Sequence, residues 1–216
     1  MSGCCDRSGY RGVFNTKTAE RNVRSFLKKG LDSTARPMVD AVSSRGVEGA
    51  SVLEVGAGAG TALVSLLEAG AIRADAFEIS AAYEGPARRL LEERGIDAPV
   101  EWHTGDFVAM ANAVDRADVV FLNRVVCCYP DMEELVDAAG SKCTRLLAMS
   151  YPRNRWPFRL FIRVANAWFR FRKNNFRIFL HDPDAVAKRV SGAGLREVAS
   201  GTTAGWHWKV WERNSD

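Results

Sequence analysis

The stretch Val52-Leu-Glu-Val-Gly-Ala-Gly-Ala-Gly60, VLEVGAGAG, carries an apolar run into a glycine-rich turn, and the residues after it, TALVSLLEAG, have helical spacing. Gly56, Gly58 and Gly60 remove side chains where the backbone doubles back, with the small Ala57 between the first two. A ligand can then approach main-chain N–H groups at a helix N-terminus. The usual dinucleotide pattern, G-x-G-x-x-G, would put its last glycine where Thr61 stands. The spacing G-x-G-x-G, preceded by Glu54, points to a nucleotide-like ligand without a pyrophosphate. The alternative reading of the same residues is a structural turn with no ligand.

Outward from this motif, short β-type runs alternate with helical ones. SVLEV, ADAFEI, PVEWHT, ADVVFL and RLLAMS are separated by helical stretches, and LREVAS and HWKVWER close the chain. Such alternation predicts an α/β fold: a doubly wound, Rossmann-like, mostly parallel sheet of seven strands with helices on both faces. Before it, residues 1–14 read as a flexible arm, Thr16 to Lys29 as a helix, and Ala35, Met38, Val39 and Val42 as the core face of a second helix capped by Asp32 or Ser33. The expected organisation is one domain over 1–216. It comprises an arm and helices covering the cleft (1–48), a ligand-binding core (49–150), a basic aromatic insertion after the fifth strand (151–180), and a final helix and strands (181–216).

Open α/β sheets bind ligands beyond the carboxyl ends of their strands, and two further features lie there. Glu78, followed by Ile79, ends the second strand, and an acceptor-only carboxylate matches the vicinal hydroxyls of a ribose. After the third strand, Asp106 can accept from an exocyclic amine while Phe107 packs on the ring. Each has a plain alternative: a solvated strand-end acid for Glu78, a helix N-cap for Asp106. Their occurrence in order, one per successive strand, favours the ligand.

These residues resemble the class I S-adenosylmethionine-dependent methyltransferases. In that family the glycine loop has the form E/D-x-G-x-G-x-G, matched by Glu54, Gly56, Gly58 and Gly60, with acids after the second and third strands, matched by Glu78 and Asp106. The resemblance covers about residues 32–150 and implies an antiparallel last strand. It also implies S-adenosyl-L-methionine as cofactor, held by Glu54, Gly56, Ala57, Gly58, Gly60, Glu78, Ile79, Asp106, Phe107 and Asn123. Arg124, Cys128 and Tyr129 then fall on the acceptor side. The segment RVVCCYPDMEELV looks most like small-molecule methyltransferases, including the magnesium-protoporphyrin type, in which a His–Tyr pair commonly stands at the positions of Cys128 and Tyr129. The implied reaction moves a methyl group to oxygen or nitrogen of a small apolar or anionic metabolite. The competing readings are an RNA or protein methyltransferase and a non-catalytic cofactor-binding protein.

The cysteines, Cys4, Cys5, Cys127, Cys128 and Cys143, lack metal-site spacing, and His103, His181 and His207 are scattered. No metal is expected, and the odd count with no signal-peptide-like stretch points to a reducing cytoplasm. The 216 residues carry a net charge of +4 that is unevenly spread: 38–150 hold 18 acidic and 9 basic side chains, whereas 151–178 hold 8 basic and no acidic ones. DNA is not an expected partner, and RNA is disfavoured because no separate RNA-binding domain is evident. In the insertion, Arg159, Arg163, Asn166, Arg170 and Lys173 form one stripe of a helix, and Leu160, Phe161, Val164, Trp168 and Phe171 face away from it. Three readings stand open: a helix docked on the sheet with a solvated basic edge, a lid over the acceptor, or peripheral membrane contact through 157–173. Trp206, Trp208 and Trp211 are expected to pack an edge hairpin. The oligomeric state is not legible.

Overall fold

The computed structural model of the protein describes residues 7–214. The seven strands are β1 (Ser51–Val55), β2 (Arg73–Glu78), β3 (Val100–Thr104), β4 (Ala117–Leu122), β5 (Cys143–Pro152), β6 (Leu195–Thr202) and β7 (Trp206–Arg213), in the sheet order β3-β2-β1-β4-β5-β7-β6. The first five are parallel, and β7 enters antiparallel between β5 and β6. Chain order reverses between β1 and β4, where Val52 pairs with Val119, and this reversal opens a crevice beyond the strand ends.

Both faces of the sheet are covered, so its central strands turn apolar side chains to both sides rather than to one, with Glu54 in β1 and Asp118 in β4 as charged exceptions. In β4, Val120 and Leu122 enter one core with Leu53, Phe77 and Leu147, whereas Val119 and Phe121 enter the other with Val52, Leu63 and Leu146. The first core is capped by α7 (Met132–Lys142) and α9 (Pro183–Gly192), and the second by α3 (Ala35–Ser43) and α4 (Thr61–Glu68). Two more helices, α5 (Glu84–Glu93) and the single turn α6 (Phe107–Met110), complete the crossovers.

The N-terminal region departs from the expectation of a flexible arm. Residues 7–13 form a helix, α1 (Arg7–Val13), before α2 (Thr16–Lys29). Tyr10 and Phe14 pack edge-on against Phe176, with centroids 5.3 and 5.5 Å away, so aromatic burial offsets the poor helix propensity of Gly9 and Gly12. Cys4 and Cys5 lie outside the described residues. The second predicted cap is made by Asp32, whose Oδ1 accepts from the amides of Thr34 and Ala35 at 2.7 and 3.1 Å.

The closing hairpin packs at the edge of the sheet as expected, with β6 outermost and the tryptophan-bearing β7 between it and β5. Trp211 is 1% exposed, among the largest fully buried side chains, and faces the α7–α9 core. Trp211→Ala should therefore destabilise the protein by about 3–5 kcal/mol in denaturant titration. A loss under about 1 kcal/mol would contradict this placement.

Candidate functional site

The carboxyl ends of β1, β2 and β4 open into a cavity of about 620 Å³. Volumes of about 300–1,000 Å³ are usual for sites that hold drug-sized ligands. Of the residues singled out from the sequence, Glu54, Gly56, Ala57, Gly58, Glu78, Ile79, Asp106, Phe107, Asn123, Arg124, Cys128 and Tyr129 line it. Gly60 does not, and instead turns the chain into α4 with φ +69°.

Gly56 is the tightest position of the loop. Its φ is +66°, and a Cβ there would stand 2.5 Å from Val125 Cγ2, so any side chain would force β1's turn away from the segment after β4. Ala57 then donates to the Phe77 carbonyl at 2.9 Å, which clamps the loop to β2.

Glu78 fastens the same loop through its side chain. One carboxylate oxygen accepts from the Gly58 amide and the other from the Ser80 amide, both at 2.9 Å. Burial pushes its pKa up, and these amide hydrogen bonds oppose the rise. Glu54, on the neighbouring strand, is 3% exposed and accepts from the Leu63 amide at 3.0 Å. Burial, with a smaller contribution from the charge of Glu78, pushes the Glu54 carboxyl up to about 8. Two carboxyls so placed favour a cation, which would offset the desolvation of both.

Asp106 makes the N-cap weighed for it, and its second oxygen is engaged by a side chain across the cavity. Oδ1 caps α6 by accepting from Val108 N at 3.0 Å, and Oδ2 accepts from the Tyr129 hydroxyl at 3.3 Å. Phe107 is more deeply set than a stacking platform would be: it is 4% exposed and meets Phe77 edge-on, with centroids 5.2 Å apart. Its rim contributes to the cavity wall while the rest fills the core.

The far side of the cavity is a polar cluster around Asp32, which sequence reading took only as a cap. Asn123 Nδ2 donates to Asp32 Oδ2 at 3.2 Å, and Arg124 donates to Asp32 Oδ1 and to Thr34 Oγ1, each at 3.0 Å. Arg124 also stacks its guanidinium 5.0 Å from the Trp206 ring centre and adopts φ +61°, a left-handed backbone rare for a long side chain. Its amide and Asn123 Oδ1 share the Ser150 hydroxyl, which holds this turn in place. Cys128 packs with Sγ 3.7 Å from Cys127 Sγ. That contact and burial raise its pKa well above the ordinary thiol range, so it faces the cavity as a neutral thiol.

Sequence reading also missed Tyr10, Phe14, Asn22 and Tyr83, which line the cavity from the N-terminal helices and the turn after β2. The hydroxyl of Tyr10 donates to the Cys128 carbonyl at 2.5 Å. Nothing in their spacing marks them, because the partners that hold them lie 61 to 166 residues away. The insertion helix, α8 (Trp156–Phe171), contributes no residue to the wall, so the lid reading is not realised. Outside the cavity, Asp75, Glu101 and His103 bring their ligand atoms within 4.8 Å of one another, a grouping invisible from chain spacing. Among the described residues no helix is long and apolar enough to cross a membrane.

The raised Glu54 pKa makes stability depend on pH. A carboxyl whose folded pKa lies above its unfolded value contributes stability that is fully present below about 4.5 and is lost as pH rises through about 8. Glu54→Gln should therefore flatten the fall in melting temperature between those two pH values. A slope identical to that of the unsubstituted protein would locate the titration elsewhere.

Residues 52–149 match the model of a family described as a methyltransferase domain. No curated protein matches the chain in sequence. Among solved structures, magnesium protoporphyrin IX methyltransferase from Synechocystis PCC 6803, with bound S-adenosylhomocysteine, has a TM-score of 0.74 at 18% identity, over 97% of this chain and 100% of that one. An O-methyltransferase family protein from Burkholderia thailandensis scores 0.66 at 20% identity, over 94% and 64%. The N-methyltransferase NodS from Bradyrhizobium japonicum WM9, in complex with S-adenosylhomocysteine, scores 0.63 at 16% identity, over 93% and 100%. The methyltransferase-domain match runs from β1 into β5 and takes in the strands whose carboxyl ends open into the cavity, and these solved structures share the fold of this chain.

Proposed function

We propose that the protein moves the methyl group of S-adenosylmethionine to an oxygen or nitrogen of a small acceptor that is apolar or anionic. The observation that carries the cofactor half is the carboxyl pair Glu54 and Glu78, buried side by side on the wall of a cavity whose glycine loop leaves the backbone bare. The donor set fits the cofactor, because two desolvated acids complement its cationic sulfonium and amino groups. Glu78 retains acceptor capacity for a ribose hydroxyl, since the main-chain amides of Gly58, Ile79 and Ser80 do not exhaust the lone pairs of its two oxygens. Gly56, Ala57 and Gly58 would pass the methionine part, with Glu54 beneath them. Ile79, Asp106 and Phe107 would bound the adenine, and Asn123 would close the site from β4.

When bound, S-adenosylmethionine supplies an electrophilic methyl, so the protein's contribution is alignment and exclusion of water. No side chain need act as nucleophile, and the neutral Cys128 thiol is suited to being a wall. Acceptor selection falls to the rim. The Asp32–Arg124 ion pair is about two-fifths exposed on both sides, and such pairs are worth roughly 0–1 kcal/mol. An acceptor carboxylate or phenolate can therefore replace Asp32 on Arg124 at little cost, while Tyr129 and Cys128 pack against its body. O- and N-methyltransferases both occur among the structural relatives, which supports this range of acceptor atoms.

Glu78→Ala should weaken S-adenosylmethionine binding by about 10- to 100-fold in calorimetry, the range expected for hydrogen bonds to a charged group. Unchanged affinity would remove Glu78 from the site. If the unsubstituted protein shows no binding at sub-millimolar cofactor, the methyl-transfer reading itself fails. A screen of small phenols, carboxylates and amines with methyl-labelled cofactor then identifies the acceptor class.

A further inference from the structure

Helix α8 presents its apolar side outward. It is held to the protein by Ile162, which is buried, by Phe169, edge-on to Phe176 at 5.2 Å, and by Asn166. The Asn166 side chain both donates to the Ile178 carbonyl and accepts from the Ile178 amide, at 2.8 and 2.9 Å. On the opposite side Trp156, Leu160, Phe161, Val164, Trp168 and Phe171 are between 54% and 78% exposed. At 100° per residue these six occupy about 140° of one helix face. Arg159, Arg163 and Arg170 line one border of that face, and Arg172, 5.8 Å from the Trp168 ring centre, lies at the other. Isolated exposed apolar residues need no explanation, but six large ones on a single helix do.

We infer that α8 seats the protein on an anionic lipid surface, lying in the headgroup layer with its aromatic face toward the acyl chains. The chemistry is that of an interfacial helix: Trp, Phe and Leu on one side, flanked by arginines whose guanidinium groups reach the phosphates. Its 16 residues carry arginines throughout, so it lies on a bilayer rather than across it. Charge selects the occupant. Residues 151–178 contain 8 basic and no acidic side chains, so a second copy meeting this face would set like charges against like. A nucleic acid would engage the arginines but leave Leu160, Val164 and Phe171 in water. An anionic bilayer matches both halves of the surface at once. The inference does not depend on methyl transfer, since no residue of α8 lines the cavity.

The test is co-sedimentation of the full chain with phosphatidylcholine vesicles, with and without phosphatidylglycerol. The expected result is binding to the anionic vesicles only, weakening as salt is raised. Changing Arg159, Arg163 and Arg170 together to Gln should lower partitioning by about 100-fold, as three charges near an anionic surface predict. Phe161→Ser, Trp168→Ser and Phe171→Ser combined should lower it at least tenfold with the melting temperature unchanged, because these side chains are already exposed. Absence of binding to anionic vesicles at low salt would overturn the inference, as would binding that both triple variants leave intact. A dimer seen by light scattering and abolished by the serine variant, without vesicle binding, would overturn it in favour of a second copy.

Discussion

The site rests on one buried carboxylate bridging two strands. Glu78 at the end of β2 accepts from the Gly58 amide in the loop after β1 and from the Ser80 amide in its own turn. A carboxylate placed in a low-dielectric interior is unfavourable unless hydrogen-bonded, and here the partners are main-chain amides that the left-handed glycine loop brings round. The loop geometry and the buried acid therefore require each other. Without the positive φ angles at Gly56 and Gly58 the Gly58 amide would not face β2, and without the acid that amide would face a cavity unpaired. Glu54, one strand over, repeats the arrangement with the Leu63 amide at the start of α4. Together they give the crevice between β1, β2 and β4 an acidic floor in a chain whose net charge is positive.

Much of this was legible because it is local. The central strands are apolar on both faces, so SVLEV and ADVVFL marked β1 and β4 to the residue, and the glycine spacing with Glu54 and Glu78 marked the cavity. What escaped reading depends on contacts across the chain. Tyr10 and Phe14 look like parts of a glycine-broken arm until Phe176, more than 160 positions later, supplies the surface they pack on. Asp32 reads as a cap, which it is, but its second oxygen and the Asn123–Arg124 turn meet only in the fold. The left-handed backbone at Arg124 has no signature in residue type, because glycine or asparagine would be expected there.

The insertion helix shows the limit of periodicity from the other side. Its basic and apolar stripes were plain, yet the pattern alone could not say which stripe faced the protein. Most amphipathic helices bury the apolar side, and α8 instead turns inward the narrow strip of Phe158, Ile162 and Phe169 together with Asn166 from the edge of its basic stripe. That choice follows from the segment after it, where Phe176 and the Ile178 backbone provide matching partners. The acidic cleft and the basic aromatic surface thus occupy separate parts of one molecule, each with its own electrostatic sign.

The most direct test of the acidic floor is whether it loses a proton when a cation arrives. With the Glu54 carboxyl raised to about 8, it is largely protonated at pH 7 without ligand, and a sulfonium beside it favours the ionised form. Calorimetric titration of S-adenosylmethionine at pH 7 in buffers of different ionisation enthalpy should show an observed enthalpy that varies with the buffer in the sense of proton release. Binding with the same enthalpy in every buffer, or with proton uptake, would contradict a cationic ligand seated on Glu54 and Glu78.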